Sequence, residues 1–242
     1  MDSLRTQCIH LYNLAFPGEP EAFTEALFDR YFPDHVRVIE ENGQAVSMLF
    51  SIPYPLVLED RITEAHYIYG VATHPDHRGK GLAKKLLLAE AARYPVFLRP
   101  MSDGLFDFYA KVGYTPISPL VHAEGTATAP DGSERLLSPS DYLALRDTLA
   151  PAITCRPTEI FLSLYELGGG FVSAGEDAAA LFERHGDTIW FKEYWGDPVF
   201  APRLAAFLGG THFSLRRYDK SGTPFGMAKG TPSEAAFLAA MD

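Results

Sequence analysis

The stretch that decides the fold runs from Tyr69 to Arg93, YGVATHPDHRGKGLAKKLLLAEAAR. It opens as the end of a β-like run, passes through Arg78-Gly79-Lys80-Gly81, and continues as a helix with Leu82, Leu86 and Ala89 on one face. Glycine and basic residues before a helix can be an ordinary turn. They can also be a seat for phosphate. Gly79 and Gly81 have no side chain to keep a ligand from the backbone. The first N–H groups of a helix lack an intrahelical partner, and the helix dipole adds positive character there. Together these bind phosphate, and Arg78 and Lys80 add charge at the rim.

Two common phosphate patterns do not fit. GxxxxGK[ST] needs Ser or Thr after the Lys, but Lys80 is followed by Gly81. GxGxxG fails because Lys84 stands where the third glycine belongs. Nucleoside triphosphatase and dinucleotide-binding readings are therefore disfavoured.

Working outward, Leu4, Cys8, Leu11 and Leu14 stand at helical spacing, and after Pro17-Gly18 so do Phe23, Leu27 and Tyr31. HVRVIEE and QAVSMLFSI are β-like runs around Glu41-Asn42-Gly43, a hairpin signal. EAHYIYGVAT is a strand rich in β-branched and aromatic residues. YPVFLRP reads as a short buried strand, and GLFDFYAKVG as a short helix stopped by Gly113. YTPISPLVHAEGTATAP and ERLLS read as a hairpin around Asp131-Gly132. The class is α/β (α+β), a mixed sheet flanked by helices.

A fresh start follows, with Ser138 or Ser140 capping a helix in SPSDYLALRDTLAP. The second half reads as helix TEIFLSLYEL, a turn at Gly168-Gly169-Gly170, strand GFVSA, helix EDAAALFERHG and strand DTIWFKEYW, then helix PVFAPRLAAFLG, strand THFSLRRY and a short tail helix. We therefore expect a first domain at 1–137 and a second, smaller α/β domain at 138–242.

The 242 residues are 47% apolar and 21% charged, enough for a core without staples. A net charge of −10 argues against nucleic-acid binding, which calls for a basic face, and leans towards cationic substrates. Cys8 and Cys155 form no CxxC, so neither a zinc ribbon nor a redox motif is supported. The first residues do not read as a signal peptide, and no apolar run is long enough for a bilayer. A cytoplasmic protein without a membrane partner is the expectation.

Val71-Ala72-Thr73-His74-Pro75 followed by Arg78-x-x-Gly81-x-Ala83 resembles the acetyl-CoA signature of the GNAT N-acetyltransferases. Phe108-Tyr109-Ala110-Lys111-Val112-Gly113-Tyr114 is similar to the same family's FYxKxGF, in the expected order. The resemblance covers roughly residues 1–137. It is closest to the Eis-like branch, in which a catalytic GNAT domain precedes a degenerate one lacking the phosphate loop. It implies the GNAT acyl-CoA N-acyltransferase fold and acetyl-CoA as cosubstrate, with no metal.

The resemblance also implies roles. Val71, Ala72 and Thr73 would offer backbone to the pantetheine arm. Arg78, Gly79, Lys80, Gly81, Leu82, Ala83 and Lys84 would hold the pyrophosphate, and Gly104 and Leu105 would contact the cofactor. Tyr109 would be the general acid that protonates the departing thiolate. Its structural alternative is a packed aromatic beside Phe106 and Phe108. The acceptor would be a small-molecule or peptide amine. Glu64 and His66 are candidate bases; the alternative for each is a structural or solvent-facing role, and Tyr67 stands where the family's carboxylate usually lies. Eis-type enzymes use their C-terminal carboxylate, which would here require Asp242 to fold back. His74, Asp76 and His77 fall short of a tetrahedral metal set. Trp190 and Trp195 either line an acceptor pocket or belong to a core strand. The competing functions are a non-catalytic acyl-CoA-binding or regulatory module and an interaction protein without a ligand.

Overall fold

The computed structural model describes residues 3–59 and 61–241. Asp242, the terminal carboxylate considered above, lies outside them. Along the chain run α1 (Leu4–Ala15), α2 (Glu21–Tyr31), β1 (Val36–Glu41), β2 (Gln44–Pro53), β3 (Leu56–Leu58), β4 (Arg61–Thr63), β5 (His66–Thr73), α3 (Leu82–Ala91), β6 (Val96–Leu98) and α4 (Asp103–Val112). There follow β7 (Thr115–Thr126), β8 (Glu134–Leu137), α5 (Pro139–Leu149), β9 (Ile153–Cys155), α6 (Glu159–Leu162), β10 (Gly169–Ala174), β11 (Ala178–His185), β12 (Thr188–Gly196), α7 (Ala201–Phe207), β13 (His212–Tyr218) and β14 (Thr223–Lys229). The chain divides into two units of similar size. The first takes Met1–Leu56, Ile62–Pro116 and Met227–Ser233; the second takes Val57–Arg61, Ile117–Gly226 and Glu234–Asp242.

In the first unit β1 and β2 form the hairpin read from Asn42-Gly43, whose φ values of 52° and 74° are both positive, as the tight turn demands. The strands then run β1-β2-β5-β6, with β5 antiparallel to β2 and parallel to β6, and Met227–Lys229 of β14 antiparallel to β6. Alternation along the strands splits the core between two faces. Phe50 and Tyr69 meet Tyr12 of α1 and Phe28 of α2 on one face. Leu49 and Ile68 pack with Leu86 and Leu87 of α3 and Tyr109 of α4 on the other.

The second unit is a mixed sheet in the order β7-β13-β12-β11-β10-β8. It corrects three readings. EDAAALFERHG is the strand β11, not a helix. Ala178, Ala179 and Ala180 are wholly buried between β10 and β12, and Ala178 and Ala180 pack against Ala201, Leu204 and Ala205 of α7. Small side chains let the helix approach, and pairing on both edges overrides alanine's helix preference. β7 and β8 are not a hairpin, because β7 pairs with β13 and β8 with β10. The tail is extended rather than helical: Ala236 bridges Thr154 and exchanges backbone bonds with Ile153 and Cys155, and Phe237 is held at N and O by Ser118 Oγ. A buried ion pair sits nearby, with Arg146 Nη2 3.1 Å from Glu193 Oε1 and Tyr142 donating to Glu193 Oε2 at 2.6 Å. Trp195 is core under Arg146, and Trp190 is half-exposed and stacked on His185. Among the described residues, no helix is long and apolar enough to cross a membrane.

Candidate active site

The site is built on β5. Ser47 pairs with Thr73 and Met48 with Ala72, yet Phe50 pairs with Tyr69, so Gly70 and Val71 together oppose Leu49. This is a β-bulge with a glycine in the left-handed region, φ 59°. A Cβ on Gly70 would also meet Phe50 at 3.0 Å and Tyr12 at 3.1 Å. Two constraints thus require glycine there. The sequence reading passed over Gly70, although a glycine inside a β-branched, aromatic strand is a bulge signal.

On its other edge β5 pairs with β6 only at His66–Val96 and Tyr67–Phe97. Beyond Tyr67 the two parallel strands part, and Val71, Ala72 and Thr73 lie past that point. A strand edge released from its neighbour presents backbone donors and acceptors to an extended ligand.

β5 leads into the loop. A one-turn helix, Pro75–His77, is capped by His74. Gly79 (φ 77°) and Gly81 (φ 76°) then turn the chain into α3. Nothing lies within 4 Å of a Cβ on either, so their glycines serve backbone conformation and leave the space over the turn open. Gly81 is the N-cap and supplies no side-chain bond to the helix N–H groups, and Leu82, Ala83 and Lys84 form the first turn. Arg78 Nε donates to Thr73 O at 3.3 Å, which fixes the guanidinium beside the end of β5. Lys80 lies 3.2 Å from His77 Nδ1 and 3.9 Å from Glu41, and His77 lies 3.1 Å from Glu41. Among the described residues, no group of three or more His, Cys, Asp or Glu side chains is arranged for a metal.

Gly104 and Leu105 lie exposed in the first turn of α4. About one turn on, Tyr109 lies in one apolar cluster with Ile68 of β5 and Leu98 of β6, the strands that part beyond Tyr67. Burial raises its phenol to about 12. It therefore holds its proton at neutral pH. Gly113 ends α4 at φ 90°, as read from the sequence. Tyr114 packs against Tyr109 at 5.8 Å between ring centres.

Glu64 and His66 lie at the opposite end of β5 from the loop. Ser51 Oγ donates to Glu90 Oε2 at 2.5 Å, so its single proton is committed. His66 Nδ1, 2.8 Å from Ser51 Oγ, is then the N–H that donates to that hydroxyl oxygen. The ring stacks on Tyr94 at 3.9 Å, and its buried Nε2 faces exposed Glu64 at 3.5 Å. Glu90 of α3 also accepts from Arg37 Nε at 2.8 Å. Burial is the main cause holding the His66 pKa below its ordinary value. The sequence reading missed this network; a Glu on the apolar side of α3 was the available signal.

Residues 2–117, just under half of the chain, match the acetyltransferase (GNAT) domain family. No curated protein matches it by sequence. Solved structures share its fold at low identity. A conserved protein of Enterococcus faecalis described as a "Probable N-Acyltransferase" superposes with a TM-score of 0.69 at 16% identity, over 93% of this chain and 69% of that one. An Eis protein of Mycobacterium abscessus gives 0.64 at 13%, over 97% and 71%. The N-myristoyltransferase of Saccharomyces cerevisiae, solved with myristoyl-CoA, gives 0.54 at 11%, over 95% and 76%.

Proposed function

We propose that the protein is an acetyl-CoA-dependent N-acetyltransferase acting on a primary amine. One observation carries this reading: β5 leaves β6 beyond Tyr67, its freed segment runs into the glycine entrance of α3, and Tyr109 shares an apolar cluster with Ile68 and Leu98 of those two strands. Bound there, acetyl-CoA would supply an acyl carbon activated as a thioester. The backbone of Val71, Ala72 and Thr73 would align the pantetheine arm. Gly79 to Lys84 and Arg78 would hold the pyrophosphate, and Gly104 and Leu105 would border the cofactor. The amine nitrogen bonds to the acyl carbon, the carbon–sulfur bond breaks, and Tyr109 gives its Oη proton to the leaving sulfur. The amine's own proton passes to water or to a base. His66 and Glu64 remain the side chains proposed for that step.

One observation favours a second reading, acyl-CoA binding without turnover: His66 is enclosed by Ser51, Tyr94 and Glu64. Calorimetric titration of acetyl-CoA into the wild type and a Gly81→Glu variant tests the binding that both readings share. Binding lost in the variant supports the site. No binding to the wild type overturns both. A screen of primary amines for thiol release, with Tyr109→Phe as control, then separates enzyme from binding module.

A further inference from the structure

The proposed general acid stands on a lightly held helix. Of the ten residues of α4, Tyr109 and Val112 are buried, and the N-cap Ser102 makes no side-chain bond to the first turn. A helix this short gains little from its own hydrogen bonds and depends on its neighbours for its place. Three consecutive residues near the other end of the chain, Met227, Ala228 and Lys229, hold it, and they belong to the same unit. Met227 lies in the apolar cluster that contains Tyr109 and Val112. The Ala228 carbonyl accepts from Thr115 Oγ1 at 3.4 Å, just past the end of the helix. Lys229 Nζ donates to the Val112 carbonyl at 3.2 Å. Val112 ends α4, so its carbonyl is among those a helix leaves unpaired, and the helix dipole favours a cation there. Gly113 makes room for that cation, because a Cβ on it would lie 2.7 Å from Lys229 Nζ. Its missing side chain thus does more than permit a φ of 90°.

The same three residues form the ladder with β6, Met227 opposite Leu98 and Lys229 opposite Val96. We propose that Lys229 is a positioning residue for the transfer: its ammonium ties the end of α4 to this ladder and so sets where Tyr109, three residues before the tie, presents its hydroxyl. The proposal rests on the acetyltransferase reading. Burial is what raises the Tyr109 phenol, so Lys229 governs the place of that proton and not its affinity. Place matters because a general acid works only within hydrogen-bond reach of the atom it protonates, and a displacement on the order of 1 Å removes much of the benefit.

The test is a double-mutant cycle on the full chain. Lys229→Met keeps most of the side chain's apolar length and removes the ammonium. With acetyl-CoA and the best primary amine of the screen described above, it should lower kcat about tenfold while the KM for acetyl-CoA and the pH profile stay unchanged. In a Tyr109→Phe background the same change should leave kcat nearly unaltered, because no hydroxyl remains to be placed. Amide hydrogen exchange should quicken along α4 and not along β5. If Lys229→Met does not fold, Lys229→Arg, whose donors are differently arranged, carries the same cycle with a smaller change. An unchanged kcat, an equal fall in both backgrounds, or a matching rise in the KM for acetyl-CoA overturns the proposal and leaves Lys229 as a helix cap. Failure of the underlying reading looks different: the wild type acetylates no amine, the positioning role falls with the reaction, and faster exchange along α4 then records the cap alone.

Discussion

Each unit contains a strand, a helix and a parallel strand, and the two versions differ where a ligand would enter. In the first, β5 and β6 stay paired for two residues, and α3 begins at a bare glycine. In the second, β12 and β13 stay paired for four, from Thr188–His212 to Phe191–Leu215. The helix entrance there is filled. The Asp197 carboxylate accepts from Val199 N at 2.9 Å, and Pro198 and Pro202 bring no N–H at all. One architecture thus gives a bare helix entrance or a plugged one, according to a few residues between strand and helix. Chemistry is assigned to the first unit and packing to the second.

The largest expected effect tests the packing side. Glu193→Ala leaves Arg146 buried without its main partner, and should cost about 3–5 kcal/mol in urea unfolding. Acetyl-CoA affinity of the folded variant should not change; a parallel loss would break the division. On the chemical side, Tyr109→Phe should lower kcat by about 100-fold or more with acetyl-CoA affinity retained. An unchanged rate would leave Tyr109 as a packed aromatic. Gly81→Glu should weaken acetyl-CoA binding by about 100-fold by calorimetry, since the carboxylate takes the anion's place. Asp197→Gly should create no binding in exchange, because the prolines remain. A smaller effect separates two glycines. Gly70→Ala should cost about 2 kcal/mol in thermal unfolding, combining left-handed strain with contacts to Phe50 and Tyr12, whereas Gly79→Ala costs about 1 kcal/mol from strain alone.

The mildest expectation concerns pH. A tyrosine with a raised native pKa stabilises the fold below its unfolded value, near 10, and loses that contribution as pH climbs to the native value. Tyr109, raised to about 12, and Tyr12, Tyr31, Tyr69, Tyr114, Tyr142 and Tyr194, all raised chiefly by burial, point the same way. Stability followed by circular dichroism should fall as pH rises from about 10 to 12. A flat profile across that window would mean that these hydroxyls ionise without unfolding.

What could be read in advance follows from how local each cause is. Asn42-Gly43, Arg78 to Ala83 and the Gly113 stop are short signals whose backbone demands are met within a few residues, and all are found in those conformations. Ala178–Ala180 misled because alanine favours helices locally, while its place here is decided by β10, β12 and α7. Ala235–Ala240 misled in the same way, since its partners Ser118 and Thr154 are distant in sequence. Of the candidate site, the Arg78 to Ala83 turn and Tyr109 stood out as motifs, and the roles given to them are proposals. The Gly70 bulge needed the register against β2, and the Ser51–His66–Glu90 contacts needed three elements at once.

The short pairing of β14 with β6 bears on heredity. Val96, Phe97 and Leu98 are matched by Lys229, Ala228 and Met227, residues encoded after nearly all of the second unit. A stop codon placed after residue 137 would not release a self-sufficient first unit. It would leave β6 with a bare edge of the kind that recruits other chains into aggregates. Recombination that shuffles genes at single breakpoints would meet the same obstacle, so the two halves are bound to be inherited together.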